Sequence, residues 1–207
     1  MSLAAILLAA GESTRMGRPK PLLPWGDGTL VEWQVEQMIA AGATEVVVVL
    51  GHEAAAVGRR LADAAARWVV NPAYREGRAS SLRCGAAAVT APVEAVVILG
   101  VDQPRPAWLT RLLIERWRLP GGAAIVQPRL GEHKSHPVLV DGPLLAELAA
   151  VREEDLGLRA VLERHAGATA IVAVERPELD VDLNTPAEYE AARAAFERGA
   201  WEAGVLR

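Results

Sequence analysis

Two continuous apolar runs constrain the fold of this chain more than any other feature. They read EVVVVL at Glu45–Leu50 and AVVILG at Ala95–Gly100, and Leu3–Ala9 has the same character. Aliphatic runs without alternation are typical of strands that are covered on both faces, as in parallel sheets. Stretches with helical spacing separate these runs along the chain. We therefore predict an α/β fold, a three-layer Rossmann-like sandwich with a mostly parallel sheet.

Helical spacing and turn residues delimit the other elements. The last helix has the clearest start, because Thr185, Pro186 and Glu188 follow one another in the order of a capping box. The predicted helices are Leu30–Ala41, 53–66, 80–89, 106–118, 144–150, 158–165 and 187–198, and the other predicted strands are 68–70, 123–127, 137–140 and 170–174.

Composition narrows the class of protein. The chain has 207 residues, 51% of them hydrophobic, which suits one domain spanning residues 1–207. The net charge of −4 argues against a general nucleic-acid binder. The apolar start lacks the basic segment of a signal peptide, and no apolar run is long enough for a membrane span. We expect a cytoplasmic protein without disulfides, since Cys84 is the single cysteine.

A glycine-rich, basic loop follows the first predicted strand. Gly11 and Gly17 allow the backbone to approach a ligand closely, and Arg15, Arg18 and Lys20 bring three positive charges into this loop. Backbone amides and cations in such a loop can hold a polyphosphate. The spacing matches neither a Walker A loop nor a dinucleotide-binding loop. Ligands of parallel α/β sheets bind beyond the carboxyl ends of the strands, where this loop lies.

Acidic residues occur at two positions suited to a divalent cation. Asp102 follows the strand Ala95–Gly100, where it either holds Mg²⁺ or caps the next helix. Asp180, Asp182 and Asn184 share one face if their segment is extended, just ahead of the last helix. Asn184 alternatively turns the chain into that helix. Mg²⁺ usually takes only one or two carboxylates, so two of these acidic residues would suffice.

The basic loop also resembles a family signature. Leu8-Ala9-Ala10-Gly11-x-Ser13-x-Arg15-Met16-Gly17-x-Pro19-Lys20 is similar to the loop of the MobA-like molybdenum-cofactor nucleotidyltransferases. The resemblance implies a fold of the nucleotide-diphospho-sugar transferase type and a Mg²⁺-dependent enzyme that moves a nucleoside monophosphate from an NTP to a phosphorylated acceptor. It implies that Arg15, Lys20 and Asp102 act in catalysis, and that Asp102 and Asp182 bind the metal.

The resemblance extends to the nucleotide pocket. Gly51 and His52 follow a buried strand at the ligand edge, where His52 either borders the base or starts a helix. The segment 76–85 resembles the family's Glu-Gly-x-x-x-Ser-x-Arg-x-Gly, and its Ser80 or Ser81 is expected to cap a helix. The nucleotide-binding residues implied together are Leu8, Ala9, Ala10, Gly11, Ser13, Gly17, Lys20, Gly51, His52, Ser81 and Gly85. Leu-Ala-Ala-Gly goes with cytidine in this family, which favours CTP over GTP.

Basic residues in the second half suggest where the acceptor binds. Arg129, His133, Lys134 and His136 lie in one loop, and we assign acceptor binding to Lys134 and His136. The loop resembles the family's Gly-His-Pro-Val-Leu, with Ser135 in place of the glycine. The implied acceptor is molybdopterin, with a molybdoenzyme as a client. The alternatives are a nucleotidyltransferase with another phosphorylated acceptor, and a non-catalytic nucleotide-binding chaperone for a molybdoenzyme.

Overall fold

The fold was analysed in a computed structural model that describes residues 2–90, 92–176 and 179–202. Its main sheet has eight strands in the order β10-β7-β9-β6-β1-β4-β5, with β8 beside β7. The strands are β1 Leu3–Ala9, β2 Pro24–Trp25, β3 Gly28–Thr29, β4 Glu45–Leu50, β5 Arg67–Val70, β6 Ala95–Gly100, β7 Ile125–Leu130, β8 His133–Lys134, β9 Val138–Asp141 and β10 Thr169–Val174. The helices are α1 Leu30–Ala41, α2 Ala54–Arg60, α3 Arg78–Ala88, α4 Ala107–Trp117, α5 Leu145–Leu148, α6 Leu158–Arg164 and α7 Pro186–Glu197.

The sheet is mostly parallel, as the continuous apolar runs predict. Strands β6, β1, β4 and β5 are parallel neighbours, and β10 is parallel to β7. Strand β9 runs antiparallel to both β6 and β7 and joins the two halves. The predicted α/β class is therefore confirmed. The carboxyl ends of β1, β4 and β6 meet at one edge, which is where such sheets bind ligands.

Two hydrophobic cores cover the two faces of the sheet. In β1, Leu3, Ala5 and Leu7 belong to the core that also contains α1 and α4, whereas Ala4 and Ile6 belong to the core that contains α3. Both sets are almost fully buried, so each face of the strand stabilises the fold through apolar burial. Among the described residues, no helix is long and apolar enough to cross a membrane.

Two predicted helices differ in extent from the structure. Helix α2 ends at Arg60 and not at 66, because Leu61 turns into the core and the chain then reverses into β5. Helix α3 begins at Arg78, so Ser80 and Ser81 lie inside it and the expected cap role is wrong. Ser80 Oγ instead donates back to the Gly77 carbonyl at 2.8 Å.

Strand β8 and the hairpin β2–β3 are absent from the sequence prediction. Each of these strands has only two residues, which is too short for a period-two pattern to be recognised. The start of α7, by contrast, is as expected. Thr185 Oγ1 accepts from the Glu188 amide at 3.3 Å, and the Glu188 carboxylate accepts from the Thr185 amide at 2.8 Å.

Candidate active site

The basic loop after β1 is closed by its own backbone and side chains. Ser13 and Gly17 have left-handed φ values of 54° and 72°, which curl residues 13–17 into a turn of 3₁₀ helix. The buried Met16 anchors this turn, and the Lys20 amide donates to Ser13 Oγ at 3.2 Å. The loop therefore has a defined shape that presents the exposed Arg15 and the ammonium of Lys20 on the ligand edge.

Lys20 is the centre of a polar network that joins three distant segments. Its Nζ donates to Asp102 Oδ2 at 3.2 Å and to Asn184 Oδ1 at 2.9 Å, and its side chain is only 11% exposed. Arg15 donates to the same Asn184 oxygen at 3.1 Å. The loop after β1, the end of β6 and the loop before α7 thus meet at one cluster of charged and polar side chains.

Backbone contacts set Asp102 and Asp182 beside each other. The Leu183 amide donates to the Asp102 carbonyl at 2.8 Å, which fixes the 180–184 loop against the end of β6. A cleft of about 390 Å³ lies here, which we call the charged cleft. Its lining residues are Ser13, Thr14, Arg15, Lys20, Arg78, Asp102, Asp182 and Asn184.

The donor atoms of the charged cleft fit a hard divalent cation. Asp102, Asp182 and Asn184 line the cleft with side chains that carry oxygen ligands. Only two of these are carboxylates, and no group of three or more His, Cys, Asp or Glu side chains suited to a metal occurs within the described ranges. Mg²⁺ takes one or two carboxylates and completes its shell with water and phosphate oxygens. Asp102 does not serve as the cap of α4, because the Ala107 amide donates to Gln37 Oε1 instead.

A second cavity extends from the charged cleft along the loop. This loop pocket has about 280 Å³ and shares Ser13, Lys20, Arg78 and Asp102 with the charged cleft. Its other lining residues are Leu8, Ala9, Ala10, Gly11, Pro21, Tyr74, Gly77, Ser81 and Val101. Six of the residues expected to bind nucleotide therefore line one pocket with Lys20, namely Leu8, Ala9, Ala10, Gly11, Ser13 and Ser81.

The remaining residues expected at the nucleotide have backbone or packing roles in the structure. A Cβ on Gly51 would lie 2.7 Å from the Ala10 carbonyl oxygen, and the His52 amide donates to that oxygen at 3.0 Å. His52 does not cap α2, whose N-cap is Glu53. Gly85 packs on the sheet, where a Cβ would lie 2.6 Å from Ile6 Cγ2. This contact with the sheet explains why residue 85 is a glycine, so no contact with a nucleotide is needed to account for it.

The residues expected to bind the acceptor line a larger cavity. This wide cleft has about 870 Å³ and includes Lys134 and His136. Its other lining residues are Arg78, Gln103, His133, Ser135, Asp180, Val181, Asp182, Asn184, Glu188, Ala191, Ala192 and Ala195. Burial and the positive charges of Arg78 and Arg105 lower the pKa of His136 to about 4. His136 is therefore neutral near pH 7, so Lys134 and Arg78 carry the positive charge of this cleft.

Gln103 adds a polar group to the wall of the wide cleft. The side chain is 6% exposed, and its Oε1 atom has no hydrogen-bond partner among the described residues. Buried polar oxygens without a partner are uncommon in folded proteins.

A buried arginine, Arg105, holds the walls of the site together. Its guanidinium donates to the carbonyls of His136 at 3.0 Å and Val181 at 3.1 Å, and to Ser135 Oγ at 3.2 Å. Burial lowers the pKa of Arg105 to about 10, while Asp182 and Asp180 oppose that shift, so the group stays charged at neutral pH. Sequence analysis missed Arg105, since nothing in Pro-Arg-Pro at 104–106 shows that the side chain turns inwards.

Replacing Arg105 by methionine is expected to lower the free energy of unfolding by about 2–4 kcal/mol. The change leaves buried carbonyl groups unpaired, and a buried hydrogen bond to a charged group is worth about 1.5–3 kcal/mol. Urea unfolding measures the loss. Arg111→Met is the matched control, because Arg111 is exposed and donates to the single carbonyl of Ala40. Equal stability of the two variants would contradict the tethering role.

The fold and the site define an α/β protein with a basic, glycine-containing loop and a two-carboxylate cleft at one sheet edge. The family model described as the MobA-like NTP transferase domain matches residues 5–169. The chain therefore belongs to the MobA-like NTP transferase family, and its class is nucleotidyltransferase.

Similar proteins include two curated relatives. The chain is 35% identical over 187 residues to the nicotine blue oxidoreductase of Paenarthrobacter nicotinovorans, covering 87% of this chain and 91% of the relative. It is 28% identical over 193 residues to the molybdenum cofactor cytidylyltransferase of Escherichia coli strain K12, covering 92% and 95%. Members of one family thus carry names for two kinds of chemistry.

Solved structures show the same fold. Rv0371c of Mycobacterium tuberculosis H37Rv superposes with a TM-score of 0.79 at 28% identity, covering 94% of this chain and 98% of that one. A structure of Rv0371c in complex with manganese matches with a TM-score of 0.75. A protein of similar fold and sequence has therefore been crystallised with a divalent metal.

Proposed function

We propose that this protein transfers CMP from CTP to the terminal phosphate of molybdopterin in a Mg²⁺-dependent reaction that releases pyrophosphate. One observation carries the proposal. Lys20, Asp102, Asp182 and Arg78 surround a charged cleft that opens into the loop pocket on one side and the wide cleft on the other. A nucleotide in the first and a phosphorylated acceptor in the second would meet at the charged cleft.

Different residues have different roles in the proposed transfer. The loop amides of residues 11–17, with Arg15 and Lys20, bind the triphosphate and stabilise the charge that develops at the α-phosphate. Asp102 and Asp182 would hold the cation, which neutralises phosphate charge when it is bound. The acceptor phosphate is already ionised, so it needs no side-chain base to attack the α-phosphate in line.

The wide cleft supports an acceptor larger than a simple sugar phosphate. Its volume of about 870 Å³ is that of a site for a sizeable organic ligand. The cleft offers the cation of Lys134 for a phosphate. A cleft of this size with a cation on its wall supports a large phosphorylated acceptor such as molybdopterin.

A panel of substrates tests the proposal. Pyrophosphate release should require Mg²⁺, CTP and molybdopterin together, and mass spectrometry should find the cytosine dinucleotide form of the cofactor. Turnover with another phosphorylated acceptor alone would support the wider class but not molybdopterin. Binding of CTP without turnover would favour a chaperone. A redox change of nicotine blue without pyrophosphate release would favour the chemistry named for the Paenarthrobacter nicotinovorans relative.

Ala10→Gly is expected to shift the preference for CTP over GTP by about tenfold towards GTP, the scale of one methyl group in a substrate pocket. Ala10 is 4% exposed and lines the loop pocket, so its methyl group occupies space that a purine would need. The measurement is the ratio of kcat/KM for CTP and GTP. Ala87→Gly, at an exposed position of α3, is the control for a lost methyl group. An unchanged ratio would remove Ala10 from base selection.

A further inference from the structure

Arg78 is the one residue among those lining the cavities described above that borders all of them. It contributes to the wall of the charged cleft, the loop pocket and the wide cleft, and also to a fourth, apolar pocket bounded by Leu82, Ile98 and Leu162. Its side chain is 65% exposed, so it projects into this junction and is not held in the core. Any group that passes between these cavities meets its guanidinium.

The backbone of Arg78 is fixed, whereas its side chain is largely exposed. Gly77 has a left-handed φ of 112°, and a Cβ there would lie 2.4 Å from Glu153 Cδ. Glu153 Oε2 accepts from the Ala79 amide at 2.7 Å and so occupies the first turn of α3. Arg78 is thus the first helical residue of a tightly held segment, and its side chain extends from that segment into the junction of the cavities.

In the structure, Arg78 pairs with a carboxylate that also has another cation. Arg78 Nη2 donates to Asp102 Oδ1 at 3.3 Å, while Lys20 Nζ donates to Oδ2 at 3.2 Å. Both oxygens of Asp102 are therefore taken by positive groups. A divalent cation on Asp102 would compete with Arg78, because like charges repel and the carboxylate has few lone pairs left. Lys20 also donates to Asn184 and its side chain is 11% exposed, whereas that of Arg78 is 65% exposed, so we expect Arg78 to be the cation that leaves.

The displaced guanidinium borders both the triphosphate side and the acceptor side, and the acceptor side is the poorer of the two in cations. The triphosphate side is supplied with Arg15 and Lys20, neither of which lines the wide cleft. In the wide cleft His136 is neutral, and Asp180, Asp182 and Glu188 repel a phosphate unless a cation intervenes. Arg78 is the cation that borders this cleft and also touches Asp102.

We propose that Arg78 is a catalytic residue that leaves Asp102 when the metal binds and then grips the phosphate of the acceptor, aligning it with the α-phosphate of the nucleotide. This inference rests on the proposed nucleotidyl transfer and assigns a residue for which the sequence analysis gave no role. Arginine suits the task, because its planar fork binds two phosphate oxygens at once. The same side chain couples metal occupancy to acceptor binding.

Two measurements on Arg78→Met test the proposal, with Arg75→Met as the matched control. Arg75 is an exposed arginine three residues earlier that pairs with Glu12, so its loss also frees a carboxylate. Titration with Mn²⁺ alone, followed by electron paramagnetic resonance, should show about two- to fivefold tighter binding in Arg78→Met, the scale of losing one competing surface ion pair. Arg75→Met should bind Mn²⁺ like the wild type.

The second measurement is the initial rate with molybdopterin or CTP varied in turn. Arg78→Met should raise the KM for molybdopterin by about 10–100-fold, the scale of a charge-assisted hydrogen bond, and leave the KM for CTP within about twofold. Equal rises of both constants, or unchanged Mn²⁺ affinity, would overturn the proposal. If the wild type transfers no nucleotide, the proposed function fails, yet the Mn²⁺ titration still reports whether Arg78 and the metal compete for Asp102.

Discussion

Replacing Lys20 by alanine is expected to reduce kcat by about 10²–10³-fold, the usual effect of removing one preorganised electrostatic stabiliser. The ammonium is 11% exposed, so little water screens its charge from a phosphate in the charged cleft. The ammonium also lies between Asp102 and Asn184 and donates to an oxygen of each. Without Lys20 both oxygens lose this shared hydrogen-bond donor. The measurement is the rate of pyrophosphate release at saturating CTP and acceptor.

A second variant and a control distinguish the effect of losing the Lys20 charge from the effect of disturbing the loop. Lys20→Met keeps most of the aliphatic stem against the loop and removes only the charge, so it should lose as much activity as Lys20→Ala. Arg193→Ala removes a cation that pairs with Glu197 on the surface of α7, and it should retain wild-type activity. Melting temperatures verify that all three variants fold. Unchanged turnover in folded Lys20→Met would exclude Lys20 from catalysis.

Asp102→Ala is expected to abolish the dependence of nucleotide binding on Mg²⁺ and to lower kcat by about 10³-fold, because a bound cation supplies several kcal/mol of charge stabilisation. The same change frees Lys20 and Arg78 from their carboxylate partner. Lys20, which still donates to Asn184, then faces the phosphates without its carboxylate partner. CTP should therefore still bind without metal, at least as tightly as it binds metal-free wild type.

Isothermal titration of CTP with and without Mg²⁺ measures this effect. Asp102→Asn, which keeps the shape of the side chain but has no charge, should behave like Asp102→Ala towards the metal. Asp63→Ala, at an exposed position in the turn after α2, controls for the loss of one negative charge. Retention of a Mg²⁺ effect on CTP affinity in Asp102→Ala would place the metal elsewhere.

The candidate site was predictable where its residues are contiguous. The loop from Gly11 to Lys20 carries its glycines and its cations in one segment, so its chemistry can be inferred from spacing alone. Asp102 was suggested by its position after a strand, the family resemblance selected Asp182, and the structure brings both to the charged cleft. Their roles as metal ligands stay predictions until the titrations above are made.

Other parts of the site could not be inferred from sequence because they depend on burial. The loop 129–136 suggests positive charge at His136, yet its environment in the fold keeps that ring neutral. Arg105 looks like a surface residue in sequence and is fully buried, with three backbone or side-chain acceptors from distant loops. Desolvation and long-range contacts have no signature within a few residues of the chain.

The sequence by itself determined the longer strands, most helices and the position of the basic glycine-containing loop, because hydrophobic periodicity and backbone freedom are local properties. Only the tertiary structure decided which side chains share the site. Lys20, Asp102 and Asn184 are separated by some eighty residues at each step, and they meet because parallel strands end at one edge and the Leu183 amide fastens the last loop to Asp102. Arg78 reaches the same junction because Gly77 and Glu153 fix the start of α3.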